Sequence, residues 1–171
     1  KGAFNAVDAD KNMIGLFSLL PAVSNAVKVP VVASGGIGDA RGVAAALILG
    51  ASAVEIGTGF LRSPEAKIPN AWADAIRTAE PEDTLVSRVF SGRLGRSIRT
   101  RYALAATSRE SPKPAPYPIQ RNLTKSMRDH AVASNDLDGM QAWAGQSAKL
   151  ASSISAEQIV INLWNGAQKL L

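Results

Sequence analysis

Val29–Leu61, VPVVASGGIGDARGVAAALILGASAVEIGTGFL, is the stretch whose reading decides the fold. Val31–Ala33 is a short apolar run. Gly35-Gly36-Ile37-Gly38 follows as a glycine turn, and Asp39 stands where a helix N-cap is expected. Ala40–Leu49 reads as a helix that closes at Gly50, a C′ glycine. Ala53–Ile56 is a second apolar run, and Gly57-Thr58-Gly59 a second glycine turn. Strand, helix and strand in this order form a βαβ repeat with parallel pairing. The near-continuous apolar strands predict cover on both faces.

The flanking sequence extends the pattern and then changes it. Residues 1–12 read as a loop. Met13–Val27 reads as a helix with Ser18 as a cap, Pro21 near the first turn and Leu19, Leu20, Val23 and Val27 on one face. Residues 65–79 predict a helix with Ala71, Trp72, Ala75, Ile76 and Ala79 facing inward. Thr84–Phe90 is a strand candidate. Pro112, Pro114, Pro116 and Pro118 make Ser108–Ile119 an extended connection. Leu123–Ser134 and Met140–Ser152 read as helices. Ser155-Ala156-Glu157-Gln158 is a capping-box sequence opening a last helix, with Ile159, Leu163, Ala167 and Leu170 as its stripe.

Composition limits the chemistry. The 171 residues are 46% hydrophobic and 19% charged, in the range of a globular domain. No apolar run reaches the length of a membrane span, and no signal-peptide core is present. There is no cysteine, which excludes disulfides, thiolate metal sites and a cysteine nucleophile. One histidine, His130, does not make a multi-histidine metal site. These features predict a cytoplasmic protein without a metal. The net charge of +5 is concentrated between residues 85 and 130, where ten Lys or Arg face only Glu110 and Asp129. A solvated or subunit-facing surface accounts for this best. An anionic ligand comes next, and nucleic acid is disfavoured by the sparse aromatics. His130 is read as a surface or packing residue, as are Lys125 and Lys149. Trp143 and Trp164 are read as core.

The glycine turns fit neither common nucleotide motif. After Gly36-Ile37-Gly38 and after Gly57-Thr58-Gly59 the next glycine of G-x-G-x-x-G is missing, and no Gly-Lys-Ser/Thr follows either turn. Two successive glycine-bearing strand ends suit a phosphate, approached by backbone amides and by the positive end of the following helix. In a (β/α)8 barrel the ends of strands 7 and 8 form such a site. Close helix–strand packing without a ligand is the competing reading.

The same stretch, with FSGRLGRSIRTRY and the segment around MQAWAGQSAKL, resembles the nitronate monooxygenases, formerly called 2-nitropropane dioxygenases, over nearly the whole chain. The resemblance implies the C-terminal part of a (β/α)8 TIM barrel, its last two strands, followed by a mostly helical C-terminal region. Residues 1–80 would end the FMN-binding barrel, and residues 81–171 would be a basic region completing the substrate side. Gly35 and Gly36 would line the FMN phosphate. Glu55, Ile56, Gly57 and Thr58 correspond to the family's second phosphate turn, with Glu55 in place of the usual Gln. Lys1-Gly2-Ala3-Phe4 matches the family stretch just after its catalytic histidine, so the resemblance assigns no catalytic residue to this chain.

The implied reaction is FMN-dependent oxidation of alkyl nitronates by O2 to carbonyl compounds and nitrite. Its partners would be a nitronate or nitroalkane and O2, with neither nucleic acid nor membrane, and oligomerisation is left open. Tyr102, Tyr117 and Gln146 are candidates for the substrate pocket, and the arginines of 88–101 for holding an anionic nitronate. An FMN-dependent enoyl-acyl-carrier-protein reductase is the alternative enzyme. A fragment with only binding or oligomer contacts is the non-catalytic alternative.

Overall fold

The computed structural model describes residues 13–171. The loop expected over residues 1–12 and the Lys1–Phe4 match lie outside the described residues. The chain folds as two units. One comprises Ile14–Ile68 and Ser147–Leu171, and the other comprises Pro69–Gln146 with Met13.

The first unit holds the glycine turns. Helix α1 (Leu16–Ala26) starts at Gly15, whose carbonyl accepts from Ser18 and Leu19, so Ser18 is inside the first turn and is not the cap. Pro21 lies inside this helix rather than at its start. Its missing N–H leaves the Phe17 carbonyl without an intrahelical donor, on the exposed side of the helix. Strand β1 (Val32–Ser34) pairs in parallel with β2 (Ala53–Glu55), in the register Val32↔Ala53, Ala33↔Val54, Ser34↔Glu55. Between them runs α2 (Ala40–Ile48). Gly50 follows at φ +101°, the left-handed C′ conformation that glycine adopts without a Cβ penalty.

The last helix, α7 (Ala156–Gln168), packs along α2. The two approach closely because both present small residues. A Cβ on Gly166 would lie 2.6 Å from the Ala40 Cβ. Ser155 accepts from the Gln158 amide and caps α7. The other half of the capping box is replaced, since the Gln158 side chain donates to Asn162. Ile159 and Ala167 are buried, whereas Leu170 is exposed and Trp164 is half-exposed rather than core. Ala33, Val43, Ala44, Ala46 and Ala167 form an alanine-rich core with Leu20 and Ile37. Returning residues also tie to the earlier ones, as Arg62 donates to the Ala151 carbonyl at 2.8 Å and Glu65 accepts from the Ala156 amide at 3.0 Å.

In the second unit, α3 (Asn70–Thr78) begins later than the sequence predicts, because Pro69 occupies its N-cap position. Its Ala71 amide is satisfied by the Asn135 side chain, 64 residues away. Strands β3 (Thr84–Ser87) and β4 (Gly95–Ile98) form an antiparallel pair. Residues 141–144, expected to be helical, instead lie along β4. Ser97 bridges Trp143, Ile98 donates to the Ala142 carbonyl and Ala144 donates to the Arg96 carbonyl. Ala142 and Ala144 are buried while Gln141 and Trp143 are less so. This is the two-residue alternation of a strand, and the tertiary pairing overrides alanine's helix propensity.

Helices α4 (Arg101–Ala106), α5 (Ile119–Leu123) and α6 (Lys125–Ala133) complete this unit. Phe90 anchors it, packed against Tyr102 at 5.2 Å and edge-on to Trp143 at 6.3 Å between ring centroids. The Thr124 hydroxyl donates to the buried Phe90 carbonyl at 2.6 Å. The Gln120 amide donates to Val89 at 2.7 Å and holds the proline-rich connection through Ala115.

Candidate functional site

Cross-strand register puts the two glycine turns side by side at the same end of the β1–β2 sheet. Side chains alternate along each strand, and registered residues of parallel strands share a face. Ala33 and Val54 therefore point to the helices, and Ile56, one step further, also packs on that core. Ile56 consequently turns its side chain to the core side, beneath Gly59, and away from the exposed face. Val32, Ser34, Ala53 and Glu55 occupy the opposite face, which is exposed. Ser34 and Glu55 are the last residues of that face before the turns.

The turns themselves are open. Gly35 and Gly36 adopt φ +104° and +73°. A Cβ built on Gly35, Gly36 or Gly57 meets nothing within 4 Å. Of the other glycines in this unit, only Gly15, at the start of α1, is equally free. Gly38 would touch Leu150 at 3.0 Å, Gly42 would touch Ile37 at 3.3 Å, and Gly59 would touch Ile56 at 2.8 Å. Packing thus accounts for Gly38, Gly42 and Gly59, and the left-handed backbone for Gly35 and Gly36, whereas neither accounts for Gly57. Among the described residues the amides of Gly36 and Gly57 donate to no acceptor. Unhindered glycines beside amides without an acceptor among the described residues, at two adjacent strand ends, leave room for an oxyanion.

The helix end contributes less than the sequence predicts. Asp39 caps α2, accepting from the Gly42 amide at 3.0 Å and pairing with Arg41 at 2.6 Å. Its carboxylate occupies the place an external anion would take. Burial alone pushes the Asp39 carboxyl up. The Gly42 amide, with the Arg41 guanidinium and amide, outweighs burial and holds the group below its ordinary value. A depressed folded-state value means stability that is present above the unfolded pKa and lost as pH falls through the folded one. Acid titration is therefore expected to show an Asp39 contribution disappearing below about pH 4. Asp39→Ala is expected to remove it and to cost about 1 kcal/mol near neutrality, read by urea denaturation.

Most of the other expected site residues have structural work of their own. The Tyr102 hydroxyl donates to the Val89 carbonyl at 3.3 Å, and burial pushes its phenol above the ordinary value. Tyr117 lies under the Arg93 guanidinium, 4.1 Å from the ring centroid. Gln146 is exposed. Arg96 donates to Thr84, Arg99 to the Glu82 carbonyl, and Arg101 pairs with Asp138. Lys125 pairs with Asp129, and His130 sits exposed on α6. Among the described residues no helix is long and apolar enough to cross a membrane.

Two parallel strands joined by a helix, backed by helices and ending in paired glycine turns, make this an α/β protein. The family follows from comparison with known proteins. The nitronate monooxygenase family model matches residues 2–166, and the chain belongs to that family. It is 37% identical over all 171 residues to a probable nitronate monooxygenase of Staphylococcus aureus strain MSSA476, covering 48% of that protein. Among solved structures it superposes on nitroalkane oxidase from Streptomyces ansochromogenes with a TM-score of 0.87 at 35% identity, over 98% of this chain and 47% of that one. FabK from Thermotoga maritima is similar at a TM-score of 0.77 and 32% identity, over 93% of this chain and 50% of that one. The chain spans about half the length of the curated relatives it matches.

Proposed function

We propose that this chain forms the phosphate-binding end of an FMN-dependent nitronate monooxygenase, acting in the cytoplasm and oxidising alkyl nitronates with O2 to carbonyl compounds and nitrite. In this reading β1 and β2 are the last two strands of a (β/α)8 barrel. Residues 1–80 end the barrel, and residues 81–171 complete the substrate side. The observation that carries the proposal is the open space over Gly35, Gly36 and Gly57 at two neighbouring parallel strand ends.

The residues present fit an FMN phosphate. The Gly36 and Gly57 amides donate to no acceptor among the described residues, and Thr58 begins the adjoining 3-10 turn. Gly35, Gly36, Gly57 and Thr58 would hold the phosphate, and Glu55 and the Ile56 backbone would border it. Val32 and Ala53, registered partners one step down the same face, are apolar. When bound, FMN supplies the redox chemistry with the nitronate and O2. This chain's part is to bind and orient it. No described residue is assigned the proton transfer.

The test uses the purified full-length protein. It is expected to carry flavin absorbance, and to consume O2 and release nitrite when given propyl-2-nitronate. Rapid anaerobic bleaching by NADH, without nitronate-dependent oxygen uptake, would instead identify the enoyl-acyl-carrier-protein reductase alternative. A colourless protein that takes up no FMN would sink both.

A further inference from the structure

We propose that the outer surface around α5 docks an acidic segment of another protein, whose carboxylates meet Arg93, Arg121 and Arg128 and whose apolar side chains cover Ile119 and Leu123. This surface lies wholly within the second unit and does not depend on the FMN reading. Two inward anchors decide which residues face out. Gln120 donates to the Val89 carbonyl at 2.7 Å, and Thr124, one turn on, donates to the buried Phe90 carbonyl at 2.6 Å. Residues four apart share one side of a helix. With positions 120 and 124 turned inward, Ile119, Arg121, Asn122 and Leu123 are left exposed. Ile119 and Leu123 are themselves four apart and stand together, 56% and 68% exposed.

The charge around this apolar pair is one-sided. From Arg88 to Arg128 the chain carries ten Lys or Arg and a single acid, Glu110. Arg128 is held by neutral acceptors, the Arg121 carbonyl at 2.9 Å and the Thr124 hydroxyl at 3.1 Å. Arg93 lies on the Tyr117 ring, two residues before Ile119. Arg121 is exposed, and none of the three meets a carboxylate among the described residues. Arg93 and Arg128 are thus fixed in place with their charge uncompensated, so an incoming carboxylate orders little further side chain. The pairing of arginine with exposed aliphatic groups selects the occupant. A second copy of this chain would set like charges against each other. On a nucleic acid, Ile119 and Leu123 would meet only the polar backbone, and the Tyr117 ring already carries Arg93 where a base would stack. A lipid surface takes a long amphipathic helix, and α5 has five residues. A protein segment that carries both carboxylates and apolar side chains satisfies both parts of the surface.

The experiment titrates the full-length protein, by fluorescence anisotropy, with a labelled helical peptide that carries two leucines four residues apart ringed by glutamates, and with its glutamine counterpart. The glutamate peptide is expected to bind with a Kd of about 100 µM or tighter, and the glutamine peptide about 10-fold more weakly. Arg121→Gln and Leu123→Ser are each expected to weaken the glutamate peptide about 10-fold at an unchanged melting temperature, because both side chains are exposed. Arg121→Lys, which keeps the charge, is expected to lose less. A merely structural role for Arg121 would not separate the glutamate from the glutamine peptide. Equal binding of the two peptides, no binding of either up to about 1 mM, or variants that bind as wild type does would each overturn the proposal. Tighter binding of a DNA duplex, or of vesicles of phosphatidylserine and phosphatidylcholine, lost in Arg121→Gln, would overturn it by assigning the surface to nucleic acid or to a membrane. A dimer in sedimentation that dissociates in Leu123→Ser would overturn it by assigning the surface to a second copy.

Discussion

Gly57→Ala in the full-length protein is expected to lower FMN affinity about 10- to 100-fold while leaving thermal stability nearly unchanged. The two halves of this result have separate causes. Gly57 has φ −95° and ψ −69°, a conformation open to any L-residue, and a Cβ there meets nothing within 4 Å. The folded protein therefore accepts alanine without strain. The same Cβ would stand in the space through which a phosphate oxygen must approach the Gly57 amide. Losing one charge-assisted hydrogen bond costs about 1.5–3 kcal/mol, and 1.4 kcal/mol is roughly tenfold in affinity. Fluorescence titration and calorimetry read the two halves. An FMN affinity equal to that of wild type would mean that no phosphate sits on this turn.

Gly92→Ala is expected to do the reverse. Gly92 sits at φ +80°, and a Cβ there would lie 2.5 Å from the Tyr117 amide nitrogen, 2.6 Å from the Ala115 carbonyl oxygen and 2.7 Å from the Pro116 carbonyl carbon. These are backbone atoms, which cannot rotate aside as the end of a side chain does. The proline-rich connection would have to lift from the turn after Phe90. The left-handed conformation costs a residue with a Cβ about 1–2 kcal/mol, and overpacking adds roughly 1–3 kcal/mol. A loss of about 3 kcal/mol is expected in urea denaturation, with FMN affinity of the folded fraction retained. A variant as stable as wild type would show that the connection does not lie across Gly92.

Local signals explain what was legible beforehand. Asp39 caps α2 and Gly50 ends it because both roles depend on residues within a few positions. The apolar runs around Ala33 and Val54 marked the strands for the same reason, since burial on the helix side needs apolar side chains there. The candidate site was legible as two glycine turns. The cap on α3 was not, because its acceptor is Asn135, nor was the extended course of residues 141–144, whose partner is β4. Both depend on contacts far along the chain. Likewise, Arg96, Arg99 and Arg101 formed a basic run suited to an anion, and only the fold showed each engaged with the protein itself.

The sequence alone determined a βαβ repeat with a glycine turn after each strand, and it pointed to the nitronate monooxygenase family. It did not distinguish one glycine from another. In Gly57-Thr58-Gly59 the two glycines are chemically identical and two residues apart. Only the folded geometry of the turn decided that Gly59 is held by packing, with Ile56 2.8 Å from its would-be Cβ, and that Gly57 opens onto empty space. The reason is steric. What a missing Cβ makes room for depends on neighbours that the fold brings in, and at Gly57 the fold brings none.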